Sequence, residues 1–164
     1  MSKKDEGLSQ ADAQMNSVRT MIAALECDYD RLEELRDQVT DGRLEDCDRA
    51  ELAELEVAAN GCSNLEDAEQ VIRDDALSLE VRSGWTPLDE AVDDGYASLG
   101  ASEFRIVLCT GGPHVQIRGE LSQGEPDRAW LEYSDWGTPM TERINRDGDQ
   151  DALLAYARVF YFGE

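Results

Sequence analysis

The chain has a single histidine, His114, and its four cysteines fall in separate segments. One histidine excludes a histidine–histidine metal pair within the chain. Cys27, Cys47, Cys62 and Cys109 show no close pairing and none of the C-x-x-C spacing of a structural zinc site. No stretch approaches the ~20 apolar residues that a membrane span needs. The first ten residues, MSKKDEGLSQ, lack the apolar segment of a signal peptide. The cysteines are therefore read as reduced cytosolic thiols, with Cys27 and Cys109 as small core hydrophobes. No nucleophile stands in a recognisable arrangement with a base, and no repeat or low-complexity tract is present. These absences assign no catalytic residue, no metal and no cofactor, and put a non-enzymatic role first.

Positive charge is scarce too. Against 37 acidic residues stand 15 basic ones, a formal net charge of −22 over 164 residues. The hydrophobic fraction is 41%, enough for a real core, so the charge is a surface property and not a mark of general disorder. Such a surface repels nucleic acid and anionic membrane and favours basic partners. Residues 1 to 80 hold 22 acids and 8 bases, a net of −14, and the remainder 15 and 7, a net of −8. The excess sits in the N-terminal half.

Periodicity divides the chain into an acidic helical region, 1–76, and an antiparallel sheet with a C-terminal helix, 77–164. Residues 1 to 8 read as a frayed start, with helix entry at Ser9 and Asp12. Met15, Val18, Ile22, Leu25, Tyr29, Leu32 and Val39 recur at steps of three and four, predicting one long helix of roughly 30 residues that ends at Gly42. Asp48 with Glu51, and Ser63 with Glu66, predict the starts of two shorter helices. The period then changes to two. Leu77, Leu79 and Val81 predict a first strand. Thr86 to Glu103 reads as a surface loop, long enough to hold a short helical turn near Leu88 to Val92.

Phe104, Ile106 and Leu108, then Val115, Ile117 and Leu121, then Ala129, Leu131 and Tyr133 predict a three-stranded meander. Its turns are placed at Thr110–Pro113 and Ser122–Asp127. Thr138 to Asp149 reads as irregular. Asp149 or Asp151 opens a final helix carrying Leu153, Leu154, Tyr156, Ala157, Phe160 and Tyr161. The fold class is α+β: a helical hairpin or arm, then a four-stranded antiparallel sheet packed by a C-terminal helix.

His114 follows a Gly-Gly-Pro turn on the polar side of its strand and reads as a solvent-facing residue. Asn145, Asp147, Asp149 and Asp151 have the spacing of a calcium loop, but the glycine expected at the sixth place is Gln150, so a helix entry is preferred. From Glu26 to Asp41 there are seven acids and two bases, over a helical length along which duplex DNA presents roughly 13 phosphates. Glu26, Asp28, Asp30, Glu33, Glu34, Asp37, Asp41, Glu45 and Asp46 are the candidate partner-binding residues. Met15, Val18, Ile22, Leu25, Tyr29 and Leu32 form a stripe longer than two short helices cover, which predicts a homodimer through the first helix. An aromatic surface around Trp130, Tyr133 and Trp136 is the second place to look for an interface.

VRSGW at 81–85, LCTGGP at 108–113, IRGEL at 117–121, WLEYSDWGTP at 130–139 and ALLAYARVFYFGE at 152–164 resemble a family of small acidic proteins. That family is encoded by phages, prophages and plasmids of Gram-negative bacteria. The helical segment MIAALECDYDRLEELRD at 21–37 is similar as well. The resemblance implies a mobile-element origin and action in the bacterial cytoplasm. Such elements often carry acidic proteins that block restriction enzymes and CRISPR effector complexes. The functional expectation is therefore an anti-CRISPR or antirestriction inhibitor whose carboxylates occupy a basic nucleic-acid channel. The alternative is an adaptor or dimeric structural protein whose acidity serves solubility.

Overall fold

The computed structural model describes residues 5–87, 89, 92 and 100–163. Among these the order is α1 (Glu6–Leu25), α2 (Tyr29–Thr40), α3 (Asp46–Ala59), α4 (Leu65–Asp75), β1 (Ser78–Arg82), β2 (Glu103–Cys109), β3 (His114–Ser122), β4 (Glu125–Ser134), β5 (Thr141–Glu142) and α5 (Asp149–Ala157). The expected helical turn near Leu88 falls largely outside the described residues. The sheet is antiparallel in the order β1-β2-β3-β4-β5.

The α+β architecture stands, with two corrections. The sheet has five strands, not four, because β5 contributes two residues beside Tyr133 and Glu132, too short a piece to show an alternation. The single long helix is two helices. Asp28 breaks it: its carboxylate accepts from the backbone N–H of Arg31 at 3.0 Å and so caps a new helix. The apolar spacing runs through this break undisturbed, which is why periodicity does not show it.

Other starts shift by small steps. Asp5, not Ser9, caps α1, accepting from the Leu8 N–H at 2.9 Å. At α4 the reciprocal cap lies one residue later than Ser63/Glu66: Asn64 accepts from the Asp67 N–H at 2.9 Å, and Asp67 from the Ser63 N–H at 3.0 Å. α3 begins at Asp46 after Glu45, which makes no side-chain cap bond.

One core joins the two halves across the expected boundary at 76/77. Met15, Val18 and Ile22 of α1, Ile72 of α4, and Leu153, Tyr156 and Ala157 of α5 pack on Phe104, Ile106, Val115, Ile117 and Leu131. The hydroxyl of fully buried Tyr156 donates to Asp75 at 2.7 Å, tying α5 to α4. Gly119 is needed where the Phe104 ring crosses β3: an added Cβ would lie 2.3 Å from that ring and 2.2 Å from the Arg128 carbonyl oxygen.

β1 departs from expectation. The register pairs Leu79 with Ile106 and Val81 with Phe104, so both point to the core side of the sheet. They are nevertheless 40% and 51% exposed. The main helix contacts lie toward the other side of the sheet: α1 and α5 pack on β4, and α1 also on β3. Cys62 is the buried thiol, whereas Cys27 and Cys109 are half-buried.

Candidate functional site: an acidic helical surface

All nine candidate carboxylates are exposed, and they lie on one continuous piece of chain. Glu26 follows α1, Asp28 caps α2, Asp30, Glu33, Glu34 and Asp37 lie within α2, and Asp41 follows it. Glu45 precedes α3 and Asp46 opens it. Helix α2 turns Leu32 and Leu35 inward, both 1% exposed or less. At 3.6 residues per turn, Asp30, Glu33 and Asp37 fall within roughly 60° of one another on the opposite side. They form a ridge pointing straight away from the buried face. Successive carboxylates are about 4.5 and 6 Å apart along the axis, a sparser array than the ~3.4 Å per phosphate of a single DNA strand.

The arginines of α2 do not neutralise this ridge. They flank the buried face and reach α3. Arg31 donates from Nε and Nη2 to both oxygens of Glu51, at 3.0 and 2.8 Å, and from Nη1 to Glu34 at 2.8 Å. Arg36 makes the same forked contact with Glu56 at 2.8 and 2.9 Å. These hydrogen bonds hold the Glu51 and Glu56 carboxyls below their usual range. Arg43 pairs with Asp41, and Arg49 Nε donates to Asp46 at 3.0 Å. Of the nine candidates, Glu34, Asp41 and Asp46 are thus engaged with guanidiniums, and Asp28 is engaged as a cap. Glu26, Asp30, Glu33, Asp37 and Glu45 carry no ion pair among the described residues. Sequence reading missed this sorting, because the Arg31–Glu51 and Arg36–Glu56 pairs join helices whose packing periodicity does not predict.

The stripe expected to recruit a second copy is not on the surface. Met15, Val18, Ile22 and Leu32 are 7% exposed or less, and Leu25 and Tyr29 are half-buried. Breaking the long helix folds α1 onto the sheet and directs Leu32 inward separately, so the chain covers its own stripe. The Tyr29 hydroxyl donates to the Ala24 carbonyl at 2.8 Å. Burial, followed by nearby Cys62, pushes its pKa up to about 12.

The aromatic trio does not share a surface either. Trp130 lies on the open face of the sheet, beneath the Arg118 guanidinium at 5.9 Å. Tyr133 lies on the core side against Gly7, and Trp136 stands past the strand, 77% exposed. The open face is a closed polar network. Glu132 accepts from Gln116 Nε2 at 2.8 Å and from Trp130 Nε1 at 3.0 Å. His114 Nε2 lies 3.1 Å from Gln116 Oε1; with that amide donating to Glu132, His114 is the donor. His114 is therefore half-buried in a network and not simply solvent-facing.

The calcium-loop spacing resolves into an ion-pair clasp. Asp149 is fully buried. Its Oδ2 accepts from Arg143 Nη1 at 2.7 Å and the Arg146 N–H at 2.8 Å, and its Oδ1 pairs with Arg19. Arg143, itself 3% exposed, also donates to Asp12 at 2.8 Å. Two guanidiniums occupy the carboxylate that a cation would need. No group of three or more histidine, cysteine or acidic side chains that could hold a metal occurs among the described residues. No helix among them is long and apolar enough to cross a membrane. Compared with family models, curated proteins and solved structures, the chain gave no match.

Proposed function

We infer that the protein is a non-enzymatic inhibitor that presents carboxylates to the basic nucleic-acid channel of a defence protein, in place of DNA. The observation that carries the reading is the ridge of Asp30, Glu33 and Asp37, set opposite the buried face of α2 while Arg31 and Arg36 are turned to α3. A charged face that served solubility alone has no need to segregate its bases. Glu26 and Glu45, exposed and without an ion pair among the described residues, precede and follow α2 in the chain, and the mobile-element resemblance gives such a surface a target class, a restriction enzyme or CRISPR effector complex acting in the bacterial cytoplasm.

Binding of this kind is distributed. Each exposed carboxylate removed singly is expected to weaken a complex by less than about fivefold. Reversing Glu26, Asp30, Glu33 and Asp37 together to lysine is expected to abolish it while leaving the sheet folded. The check is a titration of purified protein into candidate defence complexes, with and without DNA, at low and high salt. Surface charges more than ~10 Å apart are screened at 0.1 M salt, so affinity should fall steeply with ionic strength. Inhibition that survives both the fourfold reversal and half-molar salt, ~0.5 M on the same screening scale, eliminates the reading.

A further inference from the structure

We propose that the open groove where α2 turns into α3 is a docking site for a basic amphipathic helix of the partner protein. The groove measures about 470 Å³ and is lined by Val39, Gly42, Leu44, Arg49, Leu52 and Ala53. Its floor is apolar. Val39 is 50% exposed there, and Leu44 and Leu52 are half-buried. Nothing in α3 forces this exposure to be covered from within, since Ala59 is its sole buried residue. Gly42 holds the turn open with a φ of +67°, and no atom lies within 4 Å of where its Cβ would be.

The charge around the floor selects the occupant. From Asp37 to Ala53 the chain carries six carboxylates (Asp37, Asp41, Glu45, Asp46, Asp48 and Glu51) and two guanidiniums. Both guanidiniums are held by their own neighbours, Arg43 by Asp41 and Arg49 by Asp46. Arg31 of α2 also pairs with Asp48 and Glu51, so Asp37 and Glu45 are the rim carboxylates with no ion pair among the described residues, and the acids still outnumber the bases around the trough. An apolar trough with a net acidic rim is complementary to a helix with aliphatic anchors on one stripe and lysine or arginine beside them. The same rim repels nucleic acid and anionic lipid. The proposal rests on the inhibitor reading for the partner's basic character and adds how that partner is gripped: the α2 ridge steers, and the groove anchors.

Two probes test this: a labelled synthetic helix with leucine at i, i+3, i+4 and lysine elsewhere, and an oligolysine of equal charge. The decisive variant is Val39→Glu with Ala53→Glu. Both positions are exposed, and both changes make the protein more acidic. If charge alone binds, the variant takes the leucine–lysine helix as well as or better than the wild type. If the groove anchors, affinity falls by about tenfold or more, while oligolysine, weaker from the start, loses nothing. Far-UV circular dichroism and a melting curve confirm the fold, and Ala53→Glu alone serves if the double variant unfolds.

Equal affinity for both probes, or no loss in the variant, overturns the groove and leaves the inhibitor reading intact. Failure of both probes to bind removes both. Self-association of the wild type that the variant abolishes would identify a second copy as the occupant and likewise overturn the proposal.

Discussion

Asp149 and Arg143 hold α1, the β5–α5 connection and α5 together through charge buried from water. Burial alone would raise the Asp149 carboxyl. The Arg146 N–H, then the guanidiniums of Arg143 and Arg19, outweigh it and hold the group below the usual aspartate range. The sign of the pH dependence follows. A folded pKa below the unfolded value means the stabilisation is complete above about pH 4 and lost as the pH falls through the depressed folded value. Asp149→Asn leaves Arg143 buried with only Asp12 opposite, so it is expected to cost about 3–5 kcal/mol at pH 7. The difference from wild type should shrink in melts recorded at about pH 3, below the unfolded value. A difference that stays constant across that range would show that the charge of Asp149 contributes nothing.

Helices α1 and α2 carry one apolar spacing yet do different work. α1 lies in the main core, whereas α2 buries Leu32 and Leu35 and turns its other side to solvent. This division changes what a charge in the stripe would do. Were the stripe a dimer seam, Ile22→Asp would yield well-folded monomers. With Ile22 only 7% exposed inside the core, the aspartate meets no water and no partner. The expected outcome is a loss of at least about 3 kcal/mol of stability, read as a lowered melting temperature without any change in subunit number. The α1–α2 break had one visible mark, Asp28 with Asp30 in the first turn after it. In a chain with 37 acidic residues, an aspartate at a helix start does not stand out.

Over the whole molecule a net charge of −22 opposes the compact state through self-repulsion. Fifteen ion pairs join the described residues, and most are exposed, so they offset this only weakly. Screening should therefore help more than it harms. Raising salt from low to physiological strength is expected to lift the melting temperature by about 2–4 °C, equivalent to about 1 kcal/mol for a chain of this size. A melting temperature that falls with salt would mean that the pairs outweigh the repulsion.

The sequence by itself determined the types of the elements apart from the two-residue β5, the core face of the meander, the turn at Thr110–Pro113 and the acidic character of the helical half. These follow from side-chain period and composition, which act over a few residues. Only the tertiary structure decided which apolar stripe is covered and which is left. Met15, Val18 and Ile22 are buried because α1 lies on β3 and β4, whereas Leu79 and Val81, on the same side of the sheet at its β1 edge, stay exposed. It alone decided which carboxylates are paired and which stay free of a guanidinium among the described residues, since Arg31 meets Glu51 and Arg36 meets Glu56 across 20 residues of chain. It also turned the Asp149 spacing from a metal-like pattern into a clasp, through Arg19 and Asp12 more than 120 residues away. Local pattern states what a residue prefers to face, and packing between distant segments settles what it meets.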